Sequence, residues 1–314
     1  MSCCMRTKND TDCVDTPNSA SVPVAKRHAI IVYSSEDLTT WKAHYNVFVP
    51  VIDKGVMYRP HVLFNEMTNK FVMWYKVHFS ANRTSTYGVA ASENFAGPFK
   101  IVVDSVPDLW SHGAIGDEYL FQDDDGKAYL VRHKAIEQLN ETFTGVDKLH
   151  RQTLPSNGGW EGTVMFKRIF PGNVARYYVL GGHYCCACKG GSNVYVFMAE
   201  GSPLSNYIFV GDIGRNGTEN QDKHSPYRWI TRAQTSTAFT VKLNPSKGNS
   251  PWEHESAVVI LGNQWITATG ATHYARNKDL LYWMVLEFDN ATGIPAQIEH
   301  SQELVLDLAL TDEL

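Results

Sequence analysis

The chain has 314 residues, of which 12% are aromatic and 19% charged, and a formal net charge of -5. That length buries a large core in one or two domains, and the charge, with no basic block, argues against a nucleic-acid partner. No apolar run reaches the roughly 18 residues that a spanning helix needs, so no membrane partner is expected.

Residues 1–28 are polar, with Thr16-Pro17-Asn18-Ser19 and Lys26-Arg27, and read as a flexible leader to a single unit over 29–314. Ala29-Ile30-Ile31-Val32-Tyr33 predicts a strand that ends at the Ser34-Ser35-Glu36-Asp37 turn, with Trp41 beyond it. A unit of strand, tight turn and strand then recurs. Val62-Leu63-Phe64 turns into Lys70–Tyr75, and Tyr119-Leu120-Phe121 turns through Asp123-Asp124-Asp125-Gly126 into Lys127–Val131. Val164-Met165-Phe166 turns through Pro171-Gly172 into Tyr177–Leu180, and Ala257–Leu261 through Gly262-Asn263 into Gln264–Thr267. Third strands are expected at Tyr87–Ser92, Val194–Ala199 and Leu281–Leu286, each followed by a Gly- and Pro-containing turn.

The equivalent positions Leu63, Leu120, Met165 and Ile260 are 57, 45 and 95 residues apart, the last spacing covering about two units. Short strands at a period near 50, with no helical periodicity, predict an all-β propeller more than a sandwich. The length accommodates five blades. Asp123-Asp124-Asp125-Gly126 superficially matches a calcium loop, but its place between two strands makes it a hairpin turn.

Within this frame Trp160-Glu161 heads an inner hairpin, where a carboxylate would stand in a pocket. The bland alternative is an exposed loop Glu. Six cysteines form two clusters, Cys3, Cys4, Cys13 and Cys185, Cys186, Cys188. The spacing leaves their oxidation state open. His183–Cys188 reads as a loop, since no second ligand pair stands at zinc spacing; no metal and no cofactor is expected. Five sequons, at Asn9, Asn82, Asn140, Asn216 and Asn290, suggest the secretory pathway or the cell exterior, although Met1–Arg6 is no signal peptide. The terminal Thr311-Asp312-Glu313-Leu314 only partly matches a retention signal. A Gly-x-Ser-x-Gly elbow and a phosphate-binding Gly loop are absent.

The ordered set Arg59–Asn65, Tyr87–Ala90 with Gly97-Pro98-Phe99, Asp117 before Leu120–Lys127, and Glu161 before Met165–Arg168 resembles glycoside hydrolase family 43. The similarity covers about residues 29–308 and is strongest to the exo-β-1,3-galactanase-like branch. It implies a five-bladed propeller and a monomeric enzyme acting on a carbohydrate substrate. Galactan-type chains, or related arabinose- and xylose-containing side chains, are the implied targets. It further implies that Glu161 is the general acid and that Asp117 raises and orients that acid. Gln234 would position the attacking water in place of a carboxylate base. The chemistry is that of inversion. Tyr58, Arg59, Trp110, Trp160, Tyr184 and Trp265 become candidate substrate-binding residues, the aromatics as stacking faces. Asp117, Glu161 and Gln234 should converge at one end of the propeller.

The sequence departs from the branch in three places. Tyr58 stands where the branch has Glu before its Arg-Pro. Gly262-Asn263-Gln264-Trp265 replaces a Gly-Asp-Arg-Trp. The two strands that precede the segment matching Ile30–Trp41 are replaced by the polar leader, so the first blade is expected to be incomplete. A catalytically impaired glycan-binding propeller is therefore the alternative reading. A protein-interaction propeller is a third, since one fold hosts many functions.

Overall fold

The computed structural model describes residues 29–50, 55–79, 84–155, 160–183, 192–215, 231, 233–244, 256–264, 280–299, 304, 306 and 308. The expected leader, Tyr184, Trp265 and both cysteine clusters lie outside these residues. Among the described residues every regular element is a strand.

Five antiparallel sheets follow one another along the chain. The first is a hairpin of β1 (Ile30–Ser34) and β2 (Lys42–Phe48). The second holds β3 (Gly55–Asn65), β4 (Lys70–Phe79), β5 (Thr84–Ser92) and β6 (Lys100–Val103). The third holds β7 (Glu118–Gln122), β8 (Ala128–Arg132), β9 (Ala135–Leu139) and β10 (Val146–Thr153). The fourth holds β11 (Trp160–Phe170), β12 (Val174–His183), β13 (Tyr195–Glu200) and β14 (Ile208–Asp212). The fifth holds β15 (Ala233–Lys242), β16 (Ser256–Gln264) and β17 (Leu280–Leu286). Strands β3, β7, β11 and β15 pack on one another in that order and form the inner wall of a propeller.

Period-two alternation builds the layers between blades. In β7, Tyr119 and Phe121 enter the core shared with the fourth and fifth sheets, while Leu120 enters the core shared with the second. In β8, Tyr129 and Val131 go one way and Ala128 and Leu130 the other. Inner strands buried on both faces therefore read as unbroken apolar runs, whereas the outer β10 is half exposed. A third core joins Val47 and Phe48 of β2 to Met73, Tyr75, Val77, Ala90 and Phe99. The first hairpin also meets the last sheet, where Trp41 packs edge-on against Trp283 at 6.1 Å.

The turns obey local chemistry. Gly126 takes φ 80 and closes the Asp123 turn, as expected for a hairpin. Lys167 Nζ donates to Asp123 at 2.7 Å and to Asp124 at 2.9 Å, so that acidic turn carries its own cation.

Two expectations need correction. Gly262-Asn263 is not a turn: both residues sit inside β16, paired with Thr235 and Gln234. A Cβ on Gly262 would lie 2.8 Å from that of Ala233, so this glycine permits close strand approach. Among the described residues the 95-residue spacing also holds no extra unit. The inner strand of the last sheet is β15, and Ile260 belongs to the second strand.

Candidate active site

Three of the four inner strands break register close to their first residues. The shifts fall between Tyr58 and His61 in β3, Glu161 and Val164 in β11, and Thr235 and Thr237 in β15. A bulge bends its strand and re-aims the adjacent side chains. Gly162 adopts φ 66 at one bulge, and Arg59 adopts φ 47 at another. For an arginine that conformation is costly and requires outside support.

The support is a chain of polar contacts across the ring. Arg59 Nη2 donates to Asp117 Oδ2 at 2.8 Å and to Gln234 Oε1 at 2.9 Å, and Nη1 reaches the Thr235 carbonyl at 3.4 Å. The Gly162 amide donates to Asp117 Oδ2 at 3.2 Å. Gln234 Nε2 donates to Glu161 Oε2 at 3.4 Å. Thr235 Oγ1 donates to the Gly162 carbonyl and ties β15 to β11. Arginine can only donate, so the Gln234 oxygen must face Arg59 and its nitrogen must face Glu161. Asp117, Glu161 and Gln234 thus converge, with Arg59 as the strut that crosses from the second sheet to the fifth.

Electrostatics separate the two acids at Asp117-Glu118. Burial works to raise the Asp117 pKa, but Arg59, Lys76 and the Gly162 amide outweigh it and hold it below the ordinary value. Asp117 is therefore ionised at neutral pH. Its neighbour Glu118 points to the other face of β7, is 1% exposed, and has no hydrogen-bond partner for either carboxyl oxygen. Burial, then the Asp117 charge, push the Glu118 pKa well up, so it stays neutral. His61 packs edge-on against Tyr119 at 4.9 Å. Burial, then the Arg59 charge, lower the His61 pKa to about 4.

The remaining candidates divide. Tyr58 is half-buried with Lys76 Nζ 5.8 Å from its ring centre. Trp110 is half-buried on the loop before β7, stacked on His112 at 5.0 Å, with Arg151 5.9 Å from its ring. Trp160 must be corrected: it is 0% exposed and packs against His133 and Phe197. It belongs to the core, and Gly181 exists opposite it because a Cβ there would lie 2.3 Å from the indole. Sequence reasoning missed Lys76, Glu118 and His61 as neighbours of the site. The available signal was a charge inside an otherwise apolar strand, as in Phe71–Phe79 around Lys76. Among the described residues no group of three or more His, Cys, Asp and Glu could hold a metal ion.

A propeller that gathers two carboxylates, a guanidinium and an amide at the heads of its inner strands defines a class of polar-substrate site. The family model for glycosyl hydrolases family 43 matches residues 16–290, and the chain belongs to that family. It is a glycosidase, and the match begins within the stretch expected to be a leader. Among curated proteins none matches. The fold is similar to that of a family-43 β-1,3-galactosidase solved with galactodeoxynojirimycin, with TM-score 0.66 and 18% identity over 90% of this chain and 88% of that one. It is similar to an exo-β-1,3-galactanase from Clostridium thermocellum, with TM-score 0.66 and 18% identity over 90% and 59%. It also resembles an exo-β-1,3-galactanase from Phanerochaete chrysosporium solved with β-1,3-galactotriose, with TM-score 0.63 and 20% identity over 86% and 56%. The chain thus spans little more than half the length of those two galactanases.

Proposed function

We propose that this glycosidase is exo-acting on β-1,3-linked galactan or a related polysaccharide side chain and inverts the anomeric centre. The observation that supports this reading most is the contact chain Asp117–Arg59–Gln234–Glu161. Glu161 acts as the general acid that protonates the leaving oxygen. Asp117, held ionised, disfavours a second negative charge nearby and so favours the protonated form of the acid. The Gln234 amide already bonds Arg59 on one side and Glu161 on the other. These two bonds use one lone pair of its oxygen and one of its two N–H donors, which leaves a second N–H to hold a water on the far face of the sugar. The β-1,3-galactose relatives supply the choice of sugar.

The test is hydrolysis of β-1,3-galactotriose followed by NMR of the first galactose released. Inversion at a β-linkage gives the α-anomer, and early β-anomer would refute it. Glu161→Gln should lower kcat by about 10²–10⁴-fold, the usual contribution of a general acid. Equal rates in both proteins would remove the acid role. Binding without turnover by the wild type would favour the catalytically impaired alternative.

A further inference from the structure

The ion pair between Arg132, at the end of β8, and Glu137, in β9, is 0% exposed on both sides. Burying such a pair gains little stability, because desolvation cancels most of the attraction and apolar residues of similar volume do as well. Its contacts indicate another role. Arg132 Nε and Nη2 both donate to Glu137 Oε2, at 2.9 and 2.5 Å. Its other donors go to the backbone of the loop that leads into β7. Nη2 reaches the Trp110 carbonyl at 2.6 Å, and Nη1 reaches those of Gly113 at 2.6 Å and Ala114 at 3.2 Å. Glu137 Oε1 accepts the Trp110 amide at 2.7 Å. No strand satisfies these loop groups; turns within the loop share two of the carbonyls, with the Gly113 amide on Trp110 at 3.2 Å and the Gly116 amide on Ala114 at 3.1 Å, and the ion pair supplies the remaining bonds.

The loop comes close enough for this only because residue 113 is glycine: a Cβ there would lie 2.7 Å from the Arg132 guanidinium carbon. From the neighbouring blade, the Tyr87 hydroxyl bonds both the amide and the carbonyl of Gly116 at 3.1 Å. The next residue is Asp117. The clamp is also tied to β7, the strand that follows Asp117, since Arg132 stands opposite Glu118 in register.

We propose that Arg132 and Glu137 are positioning residues whose shared clamp on loop 110–116 sets where Asp117 meets Arg59 and the Gly162 amide. They touch no substrate. The proposal rests on the reading of Asp117 as the partner of Glu161, and it predicts communication between blades. Arg132→Lys keeps the charge opposite Glu137 but loses the fork that reaches three carbonyls. The paired replacement Arg132→Met with Glu137→Leu removes the clamp and leaves neither of its charges buried alone; Arg151, whose Nε lies 3.5 Å from Glu137 Oε1, loses that partner but is 19% exposed and can be solvated.

Both variants should keep the cooperative unfolding transition. Peptide-level hydrogen exchange should rise about tenfold in 110–116 and also at 160–166, where the Gly162 amide loses Asp117. Exchange in 256–264 should stay unchanged, because that strand does not touch the clamp. On β-1,3-galactotriose kcat should fall about 10- to 100-fold, as a displaced catalytic group costs. KM should change less than threefold, and the limb of the pH profile governed by the acid should shift. General destabilisation would raise exchange everywhere and move KM and kcat alike. Unchanged exchange at 160–166 overturns the clamp. Absence of turnover in the wild type overturns the enzymatic reading instead, and exchange at 160–166 still decides the clamp.

Discussion

Asp117 and Glu118 are consecutive acids with opposite fates. The strand period sends Asp117 toward a guanidinium and Glu118 into the apolar layer between two blades. Asp117 could be picked out from its place before the Leu120–Lys127 pattern. Glu118 could not, because nothing local says which of two neighbours turns to the site. The raised Glu118 pKa has a defined sign. Below the unfolded value of 4.5 both states are protonated; above it the unfolded chain ionises while the folded one stays neutral, so folding weakens as pH rises. Glu118→Gln keeps the shape and removes the titration. It should stabilise the protein at pH 7, by about 1.4 kcal/mol for each unit by which folding raises the carboxyl pKa, and by little at pH 4. Urea unfolding at both pH values measures this, and an equal effect at both would show that Glu118 does not titrate on unfolding.

At the scale of elements, the bulges at the heads of β3, β11 and β15 do what regular strands would not. They bring Arg59, Glu161 and Gln234 toward a common point, and Gly162 makes one of them possible. A Cβ at Gly162 would lie 2.7 Å from the Thr235 carbonyl oxygen, and its φ of 66 disfavours any L side chain. Gly162→Ala should therefore cost more than the roughly 1–2 kcal/mol of left-handed backbone alone. Gly172→Ala is the comparison, with φ 82 and open space around it, and should cost only that backbone amount. Equal losses in denaturant unfolding would show that the β11–β15 approach is not tight. Glycine also explains one misreading. Gly262-Asn263 has the chemistry of a turn, and only the partner strand β15 reveals that it is a close approach.

At the scale of the whole molecule, the site exists only while four sheets hold together. The first hairpin contributes none of the site residues, yet Phe48 is 2% exposed in the core that seats it on the second sheet. Phe48→Ala should cost about 3–5 kcal/mol, as large aromatic truncations do. Because Arg59 in β3 bonds Gln234 in β15, loss of activity and loss of tryptophan packing should share one urea midpoint, and both should fall together in the variant. Two separate midpoints would mean that the hairpin unfolds by itself.

The sequence alone determined the strand period and most of the hairpins, local patterns carried by alternation and turn residues, and it placed Glu161 at the head of an inner hairpin. Asp117 and Gln234 were named beside it by the resemblance to the family, not by any local pattern. Only the tertiary structure decided that Trp160 is core, that Gly262 lies within a strand, and that Arg59 is a strut. It alone revealed that Arg132 and Glu137, 22 or more residues from Trp110 in sequence, hold the loop before Asp117. The reason is physical. What a charged or aromatic side chain does depends on the face to which its strand turns it and on what the neighbouring blade places there, and neither is written within a few residues of it.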